Sequence, residues 1–132
     1  MANKSRIIDL NRKRAITSYI NLKKFLKDCN INDNNKKKMR SCCRKLPLLI
    51  KNNGLLNTLS FIKEKDNGKN EFSYLYSWIE DWLNGIEDDH EGDIIKKLVT
   101  LDNSGYYIYT KEAIQISIWY KRHAESMIAE AM

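Results

Sequence analysis

Between Met39 and Ile62 apolar residues recur at helical spacing on both sides of one break. At about 100° per residue, Met39, Cys42, Cys43, Leu46, Leu49 and Ile50 fall on one face. Asn53-Gly54 supplies the left-handed residue that ends a helix, and Leu55 behind it is the apolar contact such a stop carries. Leu55, Leu59 and Ile62 then restart the stripe. Two helices on either side of one glycine must bury their apolar faces together, so the chain is committed to helix-on-helix packing. Lys37, Arg40, Arg44 and Lys51 lie along a flank of the first helix, three, four and seven residues apart.

The rest of the chain has the same period. Residues 5–28 read as a long helix with Ile8, Ala15, Tyr19, Leu22 and Leu26 on one face, extended by Ile7, Phe25 and Cys29. Opposite them Arg6, Lys13 and Lys24 stand almost in register over ~27 Å, a row that either follows phosphates or is simply solvated surface. Residues 30–35 form a polar loop, with Asn34 or Asn35 starting the second helix. Pro47, the only proline, falls inside an apolar pattern. Either a new helix begins there or one helix kinks, and the unbroken phase from Cys43 through Leu46 to Ile50 favours the kink.

Residues 66–70 are a turn. Residues 71–84 repeat the helical pattern through Phe72, Leu75, Tyr76, Ile79, Trp82 and Leu83, while Tyr74 and Trp78 lie off that stripe, where they could stack on bases but a second buried contact is favoured. An acidic loop over 84–93 leads to a short helix near 92–101 with Ile94, Ile95, Leu98 and Val99 apolar. Residues 103–109, NSGYYIY, read as a turn and an extended segment, with Thr110 capping a last helix and Glu112 in its first turn. There Ala113, Ile116, Tyr120, Ala124, Met127 and Ala131 share a face, and Ile114, Ile118 and Trp119 bury its first half on other sides. The expected fold is all-α: a compact bundle of five to six helices in one domain over residues 1–132.

Charge is the strongest functional signal. The net charge is +6, but residues 1–70 carry 18 Lys/Arg against 5 Asp/Glu, and residues 71–132 carry 5 against 12. A first half at +13 and a second at −7 point to a polyanion partner. The phased rows nominate Arg6, Lys13, Lys24, Arg40 and Arg44 as phosphate contacts. No run approaches a membrane span, and the N-terminus lacks the apolar region of a secretory signal, so a cytoplasmic protein is expected.

The residues do not compose an active site. Glu87, Asp88, Asp89, His90, Glu91 and Asp93 could draw a cation, but their spacing is not that of a calcium loop, and a solvated turn is expected. Cys29, Cys42 and Cys43 with His90 and His123 have no zinc spacing, and no nucleophile stands beside a base. The five glycines are scattered, so no phosphate-cradling loop exists. No cofactor and no catalysis are expected. A stand-alone nucleic-acid-binding regulator, a protein-interaction adaptor and a nuclease built on the acidic loop are the competing readings.

Two stretches carry a family resemblance. Leu46, Pro47, Lys51, Gly54 and Leu55, followed at a distance by Thr110, Glu112, Trp119, Lys121, Arg122 and Ala124, resemble the small subunit of the type III-B (Cmr) CRISPR effector complex. That family pairs an LP-hydrophobic-(K/R)-x-x-GL core with a closing T-x-E…W-x-K-R-x-A helix. The resemblance implies an all-α, non-catalytic subunit whose copies stack into a minor filament beside the backbone subunits. Its implied partners are CRISPR guide RNA and target RNA, held by backbone contacts, the backbone subunits and a Cas10-type large subunit. Lys51, Lys121 and Arg122 sit on matching family positions and join the nominated RNA contacts. Opposite charge on the two halves would favour head-to-tail stacking.

Overall fold

The order of elements in the computed structural model is α1 (Ala2–Lys27), α2 (Asp33–Asn53), α3 (Leu55–Lys65), α4 (Glu71–Asn84), a 3-10 turn (Gly85–Glu87), α5 (Ile94–Thr100) and α6 (Asn103–Met127). The structure describes residues 2–87 and 92–129, with side chains from Asp9 onward. Among the described residues there are six α-helices and no strand, so the all-α expectation holds. None of these helices is long and apolar enough to cross a membrane.

α6 is the central element: it packs along α2 on one side and α1 on the other, while α3 and α4 close the bundle. Its buried stripe, Tyr109, Ala113, Ile116, Tyr120 and Ala124, steps by four, three, four and four residues. Met39, Cys43, Leu46 and Ile50 of α2 meet it in one continuous core with Leu22 and Phe25 of α1. Trp78 lies flat on Tyr120, with ring centroids 5.4 Å apart, and stands edge-on to Phe25 at 6.2 Å. Tyr74 and Trp78 therefore make the second buried contact that their position off the main α4 stripe suggests.

α2 runs unbroken through Pro47. Its start is a reciprocal cap: the Asn32 side chain accepts the Asn35 amide while the Asn35 side chain accepts the Asn32 amide. Gly54, at φ +86°, both ends α2 and begins α3.

Residues 103–109 are helical, not extended, and Thr110 lies inside α6 instead of capping it. The cap is Asp102, whose carboxylate accepts the Gly105 amide at 2.7 Å. A side chain at Gly105 would crowd Leu101 and Asp102, at 3.3 and 3.2 Å from its Cβ, so the glycine serves a tight entry instead of a turn. Tyr109 then enters the core, where burial outweighs the strand preference of a Tyr-Tyr-Ile-Tyr run. Ile114, Ile118 and Trp119 are only partly buried and Lys111 and Gln115 are exposed, so the helix after Thr110 is not buried all round in its first half, and Tyr107 and Ile108 before it face solvent. Val99, Tyr19 and Cys29, expected on apolar faces, are exposed. Tyr19 instead meets His123 edge-on at 5.6 Å, and Cys29 lies in the turn two residues past the end of α1. Ala131 lies outside the described residues.

Candidate nucleic-acid interface

Two ridges face one another across the α2–α6 seam. Arg44, Leu48 and Lys51 step by four and three along α2, and Ile114, Ile118 and Lys121 take the same steps along α6. Between them lies a groove of about 630 Å³, which Pro47, Leu49, Asn52 and Asn53 also line. Arg44, Lys45, Lys51 and Lys121 are exposed at its margins. None of its lining residues is acidic. Four cations thus surround a floor of aliphatic side chains, with two asparagine amides able to donate or accept hydrogen bonds.

The structure unites three of the eight nominated residues, Arg44, Lys51 and Lys121, and places Lys13, Lys24, Arg40 and Arg122 elsewhere. Arg40 is half-buried, and its Nε donates to the Ile128 carbonyl at 3.1 Å, so it satisfies the C-terminal end of α6. Arg122, next to Lys121 in sequence, points about 100° away around the helix. Its guanidinium lies 5.1 Å from the centre of the Trp119 ring, on the side facing α1. Lys13 borders a different cleft, between α1, α4 and α6. Lys24 is exposed on the outer face of α1. The side chain of Arg6 lies outside the described residues.

Sequence phase alone does not mark Lys45, Asn52, Ile114 and Ile118 as groove residues. A signal exists in the shared spacing of Ile114, Ile118 and Lys121, but no local pattern says which ridge of α2 that row opposes.

The remaining motif residues are architectural. Both Nε and a terminal nitrogen of Arg14 donate to Glu112, at 2.7 and 2.6 Å, and Trp82 Nε1 donates to the same carboxylate at 2.9 Å. Trp119 Nε1 donates to Asn11 at 3.0 Å, and His123 Nε2 lies 2.9 Å from the Ala15 carbonyl. Glu112, Trp119 and His123 therefore bind α6 to α1. Of the acidic loop, Asp93 caps α5 by accepting the Ile95 and Lys96 amides, and Asp88, Asp89, His90 and Glu91 lie outside the described residues. No group of His, Cys, Asp or Glu among the described residues could hold a metal ion. Burial pushes the Cys42 thiol up to about 11, with the Glu71 charge adding to it. Burial also raises the Cys43 thiol far above its ordinary value. Neither is a nucleophile at neutral pH.

A sequence model of the CRISPR-associated protein family Cmr5 (Cas_Cmr5) matches residues 10–127. The chain belongs to the Cmr5 family. Its fold is that of a solved relative, the X-ray crystal structure of a CRISPR-associated Cmr5 family protein from Thermus thermophilus. The two share 18% identity at a TM-score of 0.70, over 90% of this chain and 97% of that one. Within this Cmr5 chain the motif residues divide by task. Leu46, Leu55 and Ala124 fill the core, Gly54 turns the chain, and Glu112 and Trp119 hold α1. Lys51 and Lys121 remain on the open groove.

Proposed function

We propose that this chain is the non-catalytic small subunit of a type III-B CRISPR effector, a single cytoplasmic helical domain that lays the α2–α6 groove against an RNA backbone. Membership of the Cmr5 family supports association with the other Cmr subunits. The observation that carries the RNA reading is the groove itself, where Arg44, Lys45, Lys51 and Lys121 converge without a carboxylate. Lysine and arginine heads contact phosphates without reading bases, so the groove takes guide or target RNA of any sequence. Guide selection and chemistry belong to other subunits.

Reversing Lys51 and Lys121 together (Lys51→Glu, Lys121→Glu) tests this on exposed positions that do not support the core. Single-stranded RNA binding is measured by fluorescence anisotropy across a salt series. Each lost phosphate contact removes about 0.7 from the slope of log affinity against log salt, so the double variant loses about 1.4 and binds more weakly at low salt. Wild-type affinity and slope in the double variant would make the protein-interaction adaptor the better reading.

A further inference from the structure

Phe61 of α3 falls off the stripe of Leu55, Leu59 and Ile62 and is 45% exposed. A single exposed aromatic needs no explanation by itself, but the surroundings of this one do. A cavity of about 300 Å³ opens beside it, lined by Leu49, Asn53, Asn57, Thr58 and Phe61. Another, of about 240 Å³, has Phe61, Lys45, Leu49, Ile62 and Phe72 among its walls. Both border the basic groove. Leu49 lines all three spaces, Asn53 is shared by the groove and the first cavity, and Lys45 by the groove and the second.

The ring is braced and flanked by groups that suit a nucleotide. Asn57, Phe61 and Lys65 step by four along one ridge of α3. Phe72 of α4 meets Phe61 nearly at right angles, with centroids 6.3 Å apart, and Lys65 Nζ lies 5.7 Å from the centre of the ring. Asn57 Nδ2 donates to the Asn53 carbonyl at 2.9 Å, which holds that amide beside the cavity. An aromatic ring stacks on the face of a base, amides donate and accept at its edge, and a lysine takes the phosphate. No carboxylate lines any of the three spaces. Glu64, the one acid of α3, lies about 60° further around the helix. A partner helix fits less well, because its anchors need a continuous apolar strip, and here Lys45, Asn53 and Asn57 interrupt it.

We propose that Phe61 is a stacking platform for an unpaired base of the RNA whose backbone lies in the α2–α6 groove, with Asn53 and Asn57 at the base edge and Lys65 toward an adjoining phosphate. The platform rests on the RNA reading of the groove and narrows its ligand to single strands, since bases inside a duplex have both faces covered by their neighbours. Every base has a π face, so the platform tolerates any sequence, as the cations do.

Wild-type, Phe61→Leu and Phe61→Tyr chains are titrated with labelled oligouridine and with an abasic ribose-phosphate strand of the same length, across a salt series. Leucine keeps apolar bulk without a π face, tyrosine keeps the π face, and thermal melting by circular dichroism verifies both folds. The wild-type chain should bind oligouridine more tightly than the abasic strand. Phe61→Leu should bind oligouridine about tenfold more weakly, and Phe61→Tyr like wild type. All three should bind the abasic strand equally and with one salt slope, because no phosphate contact is lost. Equal wild-type affinity for the two strands overturns the platform alone, as does wild-type affinity of Phe61→Leu for oligouridine. An equal loss by Phe61→Leu on the abasic strand, or by Phe61→Tyr on oligouridine, overturns it too. Should Phe61→Leu keep its RNA affinity yet fail to join the other effector subunits, the ring is a protein contact instead. Unchanged RNA binding by the Lys51→Glu, Lys121→Glu variant overturns the groove reading and the platform with it.

Discussion

Cys42 and Cys43 show how one residue of rotation changes chemistry. Both are legible as apolar-face cysteines from helical phase, yet Cys43 is enclosed and Cys42 only half-buried, while Cys29 lies in the open. With its thiol pushed up to about 11, Cys42 is thiolate in roughly one molecule in a thousand at pH 8. Ellman's reagent on the native protein at pH 8 should therefore label one cysteine rapidly, Cys29, and the other two only on unfolding. Rapid labelling of two would show that Cys42 is opened by motion of α2. Glu112 carries a related lesson. Expected in the first turn of its helix, it sits almost three turns in, and its value comes from Arg14 at a separation of 98 residues. No local rule finds such a partner, because the pair exists only after α1 and α6 have docked.

Among the elements, α2 and α3 are readable because their limits are set by groups close in sequence. The positive φ of Gly54 is local chemistry, whereas α2 starts before the expected Asn34 or Asn35, at an Asn32 cap, because the Asn32 and Asn35 side chains each accept the other's amide. An alanine at Gly54 has room, its Cβ being 3.7 Å from the Tyr106 hydroxyl, but must hold φ near +86°. Gly54→Ala should lower stability by about 1 kcal/mol or somewhat more, measured as a shift of the urea midpoint with the slope unchanged. An unmoved midpoint would mean that the joint relaxes at no cost. The start of α6 departs from its sequence reading for the opposite reason. Its tyrosines favour strands locally, whereas Tyr109 is held by the core, and the Tyr106 hydroxyl accepts the Leu56 amide at 2.9 Å, supplying α3 with the cap that Gly54 lacks. Burial and a contact across 50 residues outweigh a preference worth at most ~1 kcal/mol.

Over the whole molecule, the split between a +13 first half and a −7 second half does not become two opposed ends. α6 belongs to the acidic half but lies between α1 and α2, and Lys121 completes a groove begun by Arg44 and Lys51. If copies nonetheless stack through opposite charge, light scattering at low salt should show a concentration-dependent rise in mass that ~0.5 M salt abolishes, since the Debye length then falls to a few Å (~4 Å). A constant monomer mass would end that account of stacking without RNA. The sequence by itself determined where most of the helices run, most of their apolar faces and the joint at Gly54, because phase, caps and backbone freedom act within one turn of the chain; it did not determine the start of α6, which the burial of Tyr109 decides. Only the tertiary structure decided which cations share a surface: it joined Arg44, Lys51 and Lys121, turned Arg122 onto Trp119 and engaged Arg40 at the end of α6. The physical reason is that a helix ridge acquires neighbours only through the packing of faces buried on its other side.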